Sequence, residues 1–421
     1  MIHRGGGSLR STVGPTVTWL HLSDVHFCPE KTGWDAARVL RSLRRDLVEM
    51  QDRHGLHPDL IFFTGDLAFG HLPDSAIEGQ FEEGMRFLDG VRKSFRPTVK
   101  RDRVFIVPGN HDVNRRLVSS METEWLDRQE STAGAETISL LMRDNQRAWR
   151  IIAERLNDYR QCLERHGYRH LLADPARLVY AVRRNISGFQ VGIAGFNTAW
   201  SCCREKEKGS LWLGRWQLET LRSALEECAF RIALTHHPCN WLRPEEDTVL
   251  RREVEQSFEF HLHGHEHLGW ADRADRHVRI AAGACYEHST MEAGYSFVRL
   301  EPSHGRGEVL FRRYDATGGG WVARNVHGKA EQDGRWPLKM PWLNPRLQQK
   351  VEAFIEAMYR DEELTQEPSF ARVSGDAPSP PLVAGHNDPI VIPLSASGDQ
   401  GSLQVEPKRG RRSRFRKTGT V

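Results

Sequence analysis

Seven short apolar runs, each cut off by glycine or by a polar cluster, limit what this chain can fold into more than any other feature. In order they are TVTWLHLSD from Thr16, DLIFFTGD from Asp59, DRVFIVPGNHD from Asp102, FQVGIAGFN from Phe189, FRIALTHH from Phe230, FEFHLHGHEH from Phe258 and VRIAAGACY from Val278. Their cores are too short for helices and rich in apolar and β-branched residues, which predicts buried strands. Helical patterns separate several of them, over Trp34–Arg53, Ala76–Phe95 and Leu213–Cys228. Strands alternating with helices predict an α/β layered fold in which the loops at strand ends carry the chemistry. Three further runs, YSFVRLE, EVLFRRYD and GWVARNV, follow without helices, the last two joined by the turn signal ATGGG. They predict a second sheet closing the domain.

The remaining segments divide the chain. Residues 1–15 read as a flexible N-terminus and 16–345 as one domain. Within that domain a helical insertion of about 114–184 has Thr137–Arg165 as its core, with opposite charges at i,i+4, and predicts one long helix or a hairpin packed over the domain. A helix is expected over 346–364, after Pro345. Residues 365–421 are rich in Pro, Gly and Ser and poor in aromatics, which predicts an unfolded tail.

Composition removes several classes. With 39% hydrophobic residues, 12 Trp and 18 Phe the chain can build a core, so disorder throughout is excluded. No stretch reaches the roughly 18 uncharged apolar residues of a membrane span, and MIHRGGGSLRSTVGP lacks the apolar middle of a secretory signal. A cytoplasmic protein without a membrane partner is the expectation. The seven cysteines are scattered and form no CxxC pair, which argues for reduced thiols over a disulfide framework or zinc ribbon. Seven of the positive charges stand at 408–417 (KRGRRSRFRK), so the rest of the chain carries −4 against a whole-chain +3. Such a tail could bind nucleic acid by releasing counterions from phosphates, or simply stay solvated.

Twenty histidines are unusual, and six of them stand in the polar clusters at five strand ends: Asp24-Val25-His26, Gly65-Asp66, Gly109-Asn110-His111-Asp112, His236-His237 and Gly264-His265-Glu266-His267. Each alone is a weak signal. Together they supply carboxylate, imidazole and amide oxygen after successive strands, a donor set that suits Mn, Fe or Zn. Two such ions can neutralise both the attacking and the leaving oxygen of an in-line phosphoryl displacement.

The ordered pattern DxH, GD, GNHD, H and GHxH, from Asp24 to His267, resembles the calcineurin-like metallophosphoesterase superfamily, with similarity from about Thr16 to Asn325. The resemblance implies a four-layer αββα sandwich of two mixed sheets flanked by helices. It also implies two divalent ions, one held by Asp24, His26 and His267, the other by Asn110, His236 and His265, with Asp66 bridging them. Asp66 can give an oxygen to each ion, and neutral Asn110 limits negative charge where a phosphate enters. His111 matches the histidine that contacts the phosphate and protonates the leaving oxygen, and Asp112 is the nearest carboxylate to keep it protonated, or else a cap for the following segment. His237 could touch substrate or sit at the surface, the latter slightly favoured. Four histidines, at 261, 263, 265 and 267, alternate along one strand, so periodicity cannot choose the ligands; the family pattern selects the two after Gly264. Glu266 should face away.

Departures narrow the branch. Purple acid phosphatases place a tyrosine three residues after the GD aspartate, where this chain has Phe69. Serine/threonine phosphatases read GDxVDRG and GNHE, where this chain reads GDLAFG and GNHD. The expectation is therefore hydrolysis of a phosphodiester or phosphomonoester by a metal-bridging hydroxide, on a nucleotide or other small phosphorylated molecule. The alternative is an Mre11-type nuclease acting on DNA or RNA through the basic tail. A scaffold that keeps metals without turnover is less favoured, since no ligand position is missing. Trp200, Trp212, Trp216, Trp241 and Trp270 could line a base-stacking cleft, although core packing explains them more simply.

Overall fold

The structure is a computed structural model describing residues 14–344 apart from 29–30, 32–34, 130, 287–291 and 327–332, and beyond these only Gln349, Ala353, Ile390 and Val391. The N-terminus, almost all of the helix expected over 346–364 and the basic run at 408–417 lie outside the described residues.

Two seven-stranded mixed sheets form the centre. In the first, β1 (Val17–Leu22), β2 (Leu60–Phe63) and β3 (Val104–Ile106) run parallel. On the other side of β1 the sheet continues antiparallel through β10 (Gly294–Glu301) and β11 (Arg306–Asp315), which pairs with both β12 (Gly320–Ala323) and β13 (Arg335–Lys339). The three late strands therefore widen the first sheet, correcting the expectation that they form the second. β1 is apolar on both faces and central, so its free edge accepts β10.

The second sheet has parallel β5 (Phe189–Gly195), β6 (Phe230–Leu234), β7 (Phe260–His263) and β9 (His277–Ala281). Antiparallel β8 (Trp270–Ala274) lies on one side, with β4 (Tyr180–Ile186) and the two-residue β14 (Ile390–Val391) on the other. β4 begins inside the segment expected to be helical insertion and runs two residues past its end, and β14 lies inside the segment expected to be unfolded. The sheets pack through aromatic rings: Trp19 of β1 meets Phe260 of β7 edge-on at 5.0 Å, and the Tyr180 hydroxyl donates to the Ile106 carbonyl at 3.2 Å.

Helices α1 (Ala36–His54) and α2 (Ile77–Lys93) follow β1 and β2, each burying one apolar stripe, and α1 ends at Gly55 in the left-handed conformation. The expected long helix of the insertion is broken into α4 (Thr132–Arg143), α5 (Arg147–Ala153) and α6 (Asn157–Arg165), preceded by α3 (Ser120–Asp127). Asn145 at φ 46° ends α4, a conformation that a helix cannot continue through. Ile138, Met142, Trp149, Tyr159 and Cys162 of the insertion are buried in the common core, which favours packing as its role. α7 (Arg215–Ala224) and α8 (Pro244–Ser257) complete the set. α8 carries Pro at its start and Glu245, Glu246 and Asp247 in its first turn, a helix signature within a sparsely apolar segment. All seven cysteines are free thiols, and among the described residues no helix is long and apolar enough to cross a membrane.

Candidate metal centre

The five motifs meet at one rim, but from two sheets. Asp24 and His26 follow β1, Asp66 follows β2 and Asn110 follows β3; His236 follows β6, and His265 and His267 follow β7. Five of these seven residues (Asp24, His26, Asp66, His265 and His267) lie at positive φ between 48° and 69°. Such backbone conformations cost roughly 1–3 kcal/mol each and gather where side chains must be aimed. They also explain why strand alternation could not choose among the four histidines. Alternation stops at His263, after which His265 and His267 turn to the rim, while His261 and His263 stay buried in the body.

Glycine precedes three of the clusters, and all three are tight: a Cβ on Gly65 would stand 2.5 Å from His236 Nδ1. A Cβ on Gly109 would stand 2.1 Å from Asp66 Oδ1, and one on Gly264 would stand 2.0 Å from Ser23 Oγ and 2.7 Å from Asp24 Oδ2. The carboxylates fill the space a side chain would need.

Two groups of donor atoms share Asp66. In one, Asp24 Oδ1 lies 3.3 Å from His267 Nε2 and 3.9 Å from His26 Nε2, and His26 Nε2 lies 3.1 Å from Asp66 Oδ2. In the other, His236 Nε2 lies 3.2 Å from Asp66 Oδ2, 3.0 Å from Asn110 Oδ1 and 3.2 Å from His265 Nδ1. The same oxygen, Oδ2, faces both groups. Asp66 Oδ1 instead accepts the His111 N–H at 2.8 Å. Oδ1 is thus engaged by the backbone, and Oδ2 is the Asp66 oxygen that His26 and His236 both approach.

The atoms themselves test whether cations fit. His236 Nδ1 faces the Thr64 carbonyl at 2.7 Å and must donate there. In neutral His236 this leaves a lone pair on Nε2, facing the Asp66 carboxylate oxygen and the Asn110 amide oxygen. Acceptors this close repel one another unless a cation lies among them. Asp24 Oδ1, fully buried, accepts no hydrogen bond from a described residue. Burial disfavours the His236 imidazolium, but Asp66 and Asp24 raise it to about 9, the proton standing where a metal would. Asp66 is held well below the usual carboxylate range against its burial, chiefly by His236 and His111. Burial and neighbouring His236 lower His265 to about 3, so it is a neutral donor. The residues fit divalent ions.

His111 and Asp112 occupy different roles. The His111 ring lies 4.7 Å from that of His26, and its Nδ1 donates to the Phe69 carbonyl at 2.5 Å, so in the neutral ring Nε2 is the acceptor. Burial lowers its pKa, with Asp66 opposing. Asp112 makes no side-chain bond to it. Its carboxylate accepts four backbone amides, from Asp66 (3.0 Å), Leu67 (3.0 Å), Ala68 (2.9 Å) and Gly109 (2.9 Å). The expected catalytic role for Asp112 is corrected on this geometry: its oxygens lock the GD loop onto the GNHD loop.

His237 is buried, not at the surface. Its Nδ1 meets Thr198 Oγ1 at 2.9 Å, and its ring packs 4.5 Å from that of His265. Cys202 and Glu207 form a further buried trio with it. Glu266 faces away as expected, accepting from Trp270 Nε1 at 2.8 Å. Trp200, Trp212 and Trp216 are core, whereas Trp241 stands edge-on to His265 at 4.0 Å. Sequence reasoning missed Gln80, a polar residue on the buried stripe of α2. Its Oε1 accepts the Phe69 and Gly70 amides at 2.9 and 3.1 Å and so holds the carbonyl that orients His111. A glutamine at an apolar phase of the helix was the available signal.

The calcineurin-like phosphoesterase family profile matches residues 17–269, and the chain belongs to that family. No curated protein matches it. Among solved structures it is similar to a conserved Streptococcus pneumoniae protein described as a "predicted phosphoesterase" (12% identity, 71% of this chain and 90% of that one, TM-score 0.26). It is also similar to GAP50, the anchor in the inner membrane complex of Plasmodium (10%, 75% and 90%, 0.37), and to Vps29 of Chaetomium thermophilum (9%, 77% and 96%, 0.32).

Proposed function

We propose that the chain is a dinuclear-metal-dependent phosphoesterase that cleaves a phosphodiester or phosphomonoester of a nucleotide or other small phosphorylated molecule. The observation that carries this reading is the meeting of seven donor side chains from two sheets, with Asp66 Oδ2 3.1 Å from His26 Nε2 and 3.2 Å from His236 Nε2. Asp24, His26 and His267 would hold one ion and Asn110, His236 and His265 the other, with Asp66 between them; Mn, Fe and Zn all suit this donor set. When bound, such ions supply Lewis acidity and a strong oxygen nucleophile at neutral pH. Thr64 fixes the His236 tautomer, and Phe69 fixes that of His111. With Nδ1 as donor, His111 turns Nε2 toward substrate, where it hydrogen-bonds a phosphoryl oxygen and, when protonated, gives its proton to the departing alkoxide.

The test is hydrolysis of bis-p-nitrophenyl phosphate with Mn²⁺. Metal-dependent turnover is expected, with a fall of about 10²–10⁴-fold in His111→Ala. Absence of turnover with Mn²⁺, Fe²⁺ and Zn²⁺ alike would remove the reading. The seven positive charges at 408–417 motivate a nuclease as second reading. In that case deleting residues 405–421 should weaken salt-dependent DNA or RNA binding.

A further inference from the structure

A second group of donor atoms shares no residue with the seven of the candidate metal centre. Cys202 and Glu207 come from the loop after β5, and His237 follows β6. One donor atom from each lies within 4.8 Å of the other two, and all three residues are buried. Cys202 Sγ lies 4.0 Å from His237 Nε2. A tetrahedral zinc, with bonds of about 2.3 Å to sulfur and about 2.0 Å to nitrogen, holds two such atoms about 3.6 Å apart, so a small side-chain movement closes the pair on an ion. The charges also ask for a cation. Glu207 is 3% exposed; its Oε1 accepts the Cys203 and Arg204 amides at 2.7 and 3.0 Å, and among the described residues it forms no ion pair. The buried guanidinium of Arg155 bonds the Trp200 and Cys202 carbonyls and pairs with Glu122 at 3.0 Å instead. A buried carboxylate compensated only by two amides is costly. Cys202 beside it offers a weak S–H donor, and the Thr198 carbonyl also stands 4.0 Å from the same sulfur. Thr198 Oγ1 accepts the His237 backbone N–H at 3.2 Å and meets Nδ1 at 2.9 Å. With Nδ1–H given to the second lone pair of that hydroxyl, Nε2 next to the sulfur keeps its own lone pair.

We infer that Cys202, Glu207 and His237 form a third metal site, separate from the proposed dinuclear centre and selective for Zn²⁺ over Mn²⁺. Binding releases the thiol proton to solvent and joins the ion to one sulfur, one carboxylate oxygen and one imidazole nitrogen, leaving a position for water. Thiolate, carboxylate and divalent ion sum to zero charge, which a buried position tolerates better than a lone carboxylate. The sulfur sets the preference, since thiolate suits Zn²⁺ whereas Mn²⁺ takes oxygen donors. The ion ties the loop of Cys202 and Glu207 to the residue after His236, and the His237 ring packs 4.6 Å from that of His236 and 4.5 Å from that of His265. The site therefore braces one wall of the rim and stands whether or not the phosphoesterase reading holds.

The experiment loads the full chain with Co²⁺ as a spectroscopic stand-in for Zn²⁺, both by expression in Co²⁺ medium and by refolding from urea with excess Co²⁺, so that the buried site fills as the chain folds. Near-ultraviolet absorption and metal content are then recorded. Wild type should show a thiolate-to-cobalt charge-transfer band, which the seven donors of the dinuclear centre cannot produce because none is sulfur. Cys202→Ser should lose the band and about one equivalent of metal per chain. Glu207→Gln keeps an oxygen for the two amides and should weaken the band. An Asp66→Ala chain of native circular dichroism should retain it. Refolding with Co²⁺ and equimolar Zn²⁺ should suppress the band, and equimolar Mn²⁺ should not. Absence of the band from wild type under both loading routes overturns the site, a result that needs no variant to fold. A band that survives Cys202→Ser assigns the sulfur elsewhere, and one lost in Asp66→Ala denies a separate site; either overturns the inference. Suppression by Mn²⁺ overturns the selectivity.

Discussion

Replacing Asp112 by Asn separates a residue that builds the centre from one that serves His111. Each oxygen of the Asp112 carboxylate accepts two backbone amides, Leu67 and Ala68 on Oδ1, Asp66 and Gly109 on Oδ2. Four donors leave no acceptor for a carboxylic proton, even though burial and the facing Asp66 push the group up to about 7. An asparagine side chain keeps one oxygen and turns an NH₂ toward the other two amides. Two buried N–H groups then lose their partner, at about 1–3 kcal/mol each, and face a donor. Relief of the repulsion between Asp112 and Asp66 offsets part of this, so a net loss of about 2–4 kcal/mol is expected. Urea denaturation of the full chain, with and without Mn²⁺, measures it. If Asp112 acted only by keeping His111 protonated, stability would stay within about 0.5 kcal/mol of wild type while turnover fell, and that pattern would refute the argument.

Gly264→Ala forces a methyl group to within 3 Å of Ser23 Oγ, Asp24 Oδ2 and the Thr64 carbonyl. At least about a tenfold loss of Mn²⁺ affinity by calorimetry should follow. His170, remote from the centre, bonds the Val104 carbonyl through Nε2 at 2.9 Å, and burial lowers its pKa to about 4. The unfolded chain takes up a proton near pH 6.5 that the folded chain refuses until about pH 4, so this contribution is present above pH 6.5 and lost as pH falls between the two. It amounts to about 3 kcal/mol. His170→Gln keeps a donor to Val104 and should flatten that part of the acid denaturation profile; an unchanged slope from pH 6.5 to 4 contradicts this.

The strands that carry ligands were legible because each is an apolar run ended by a polar cluster, and that pattern survives without knowledge of neighbours. β8 (WADRA), an edge strand, and β4 (YAVRRNI), next to the two-residue edge strand β14, were not, since each mixes charged with apolar residues and so lacks an unbroken apolar run. The placement of β10 beside β1 is likewise a tertiary choice. At the centre, the identity of the seven converging side chains could be read from order and family pattern, but their directions could not. The left-handed turns at Asp24, His26, Asp66, His265 and His267 break the strand period on which direction is inferred. The duties of Asp112 and Gln80 were hidden for a related reason. Both act on backbone amides of distant loops, and backbone amides leave no trace in side-chain patterns.

The most direct test of the account is elemental analysis of the purified full chain after reconstitution with Mn²⁺ and removal of free ion, alongside Asp66→Ala. Two equivalents per chain in the wild type, falling to one or fewer when the shared oxygen is removed, is the expected result. A wild type that retains one ion or none, or a variant that still retains two, contradicts a centre organised around Asp66.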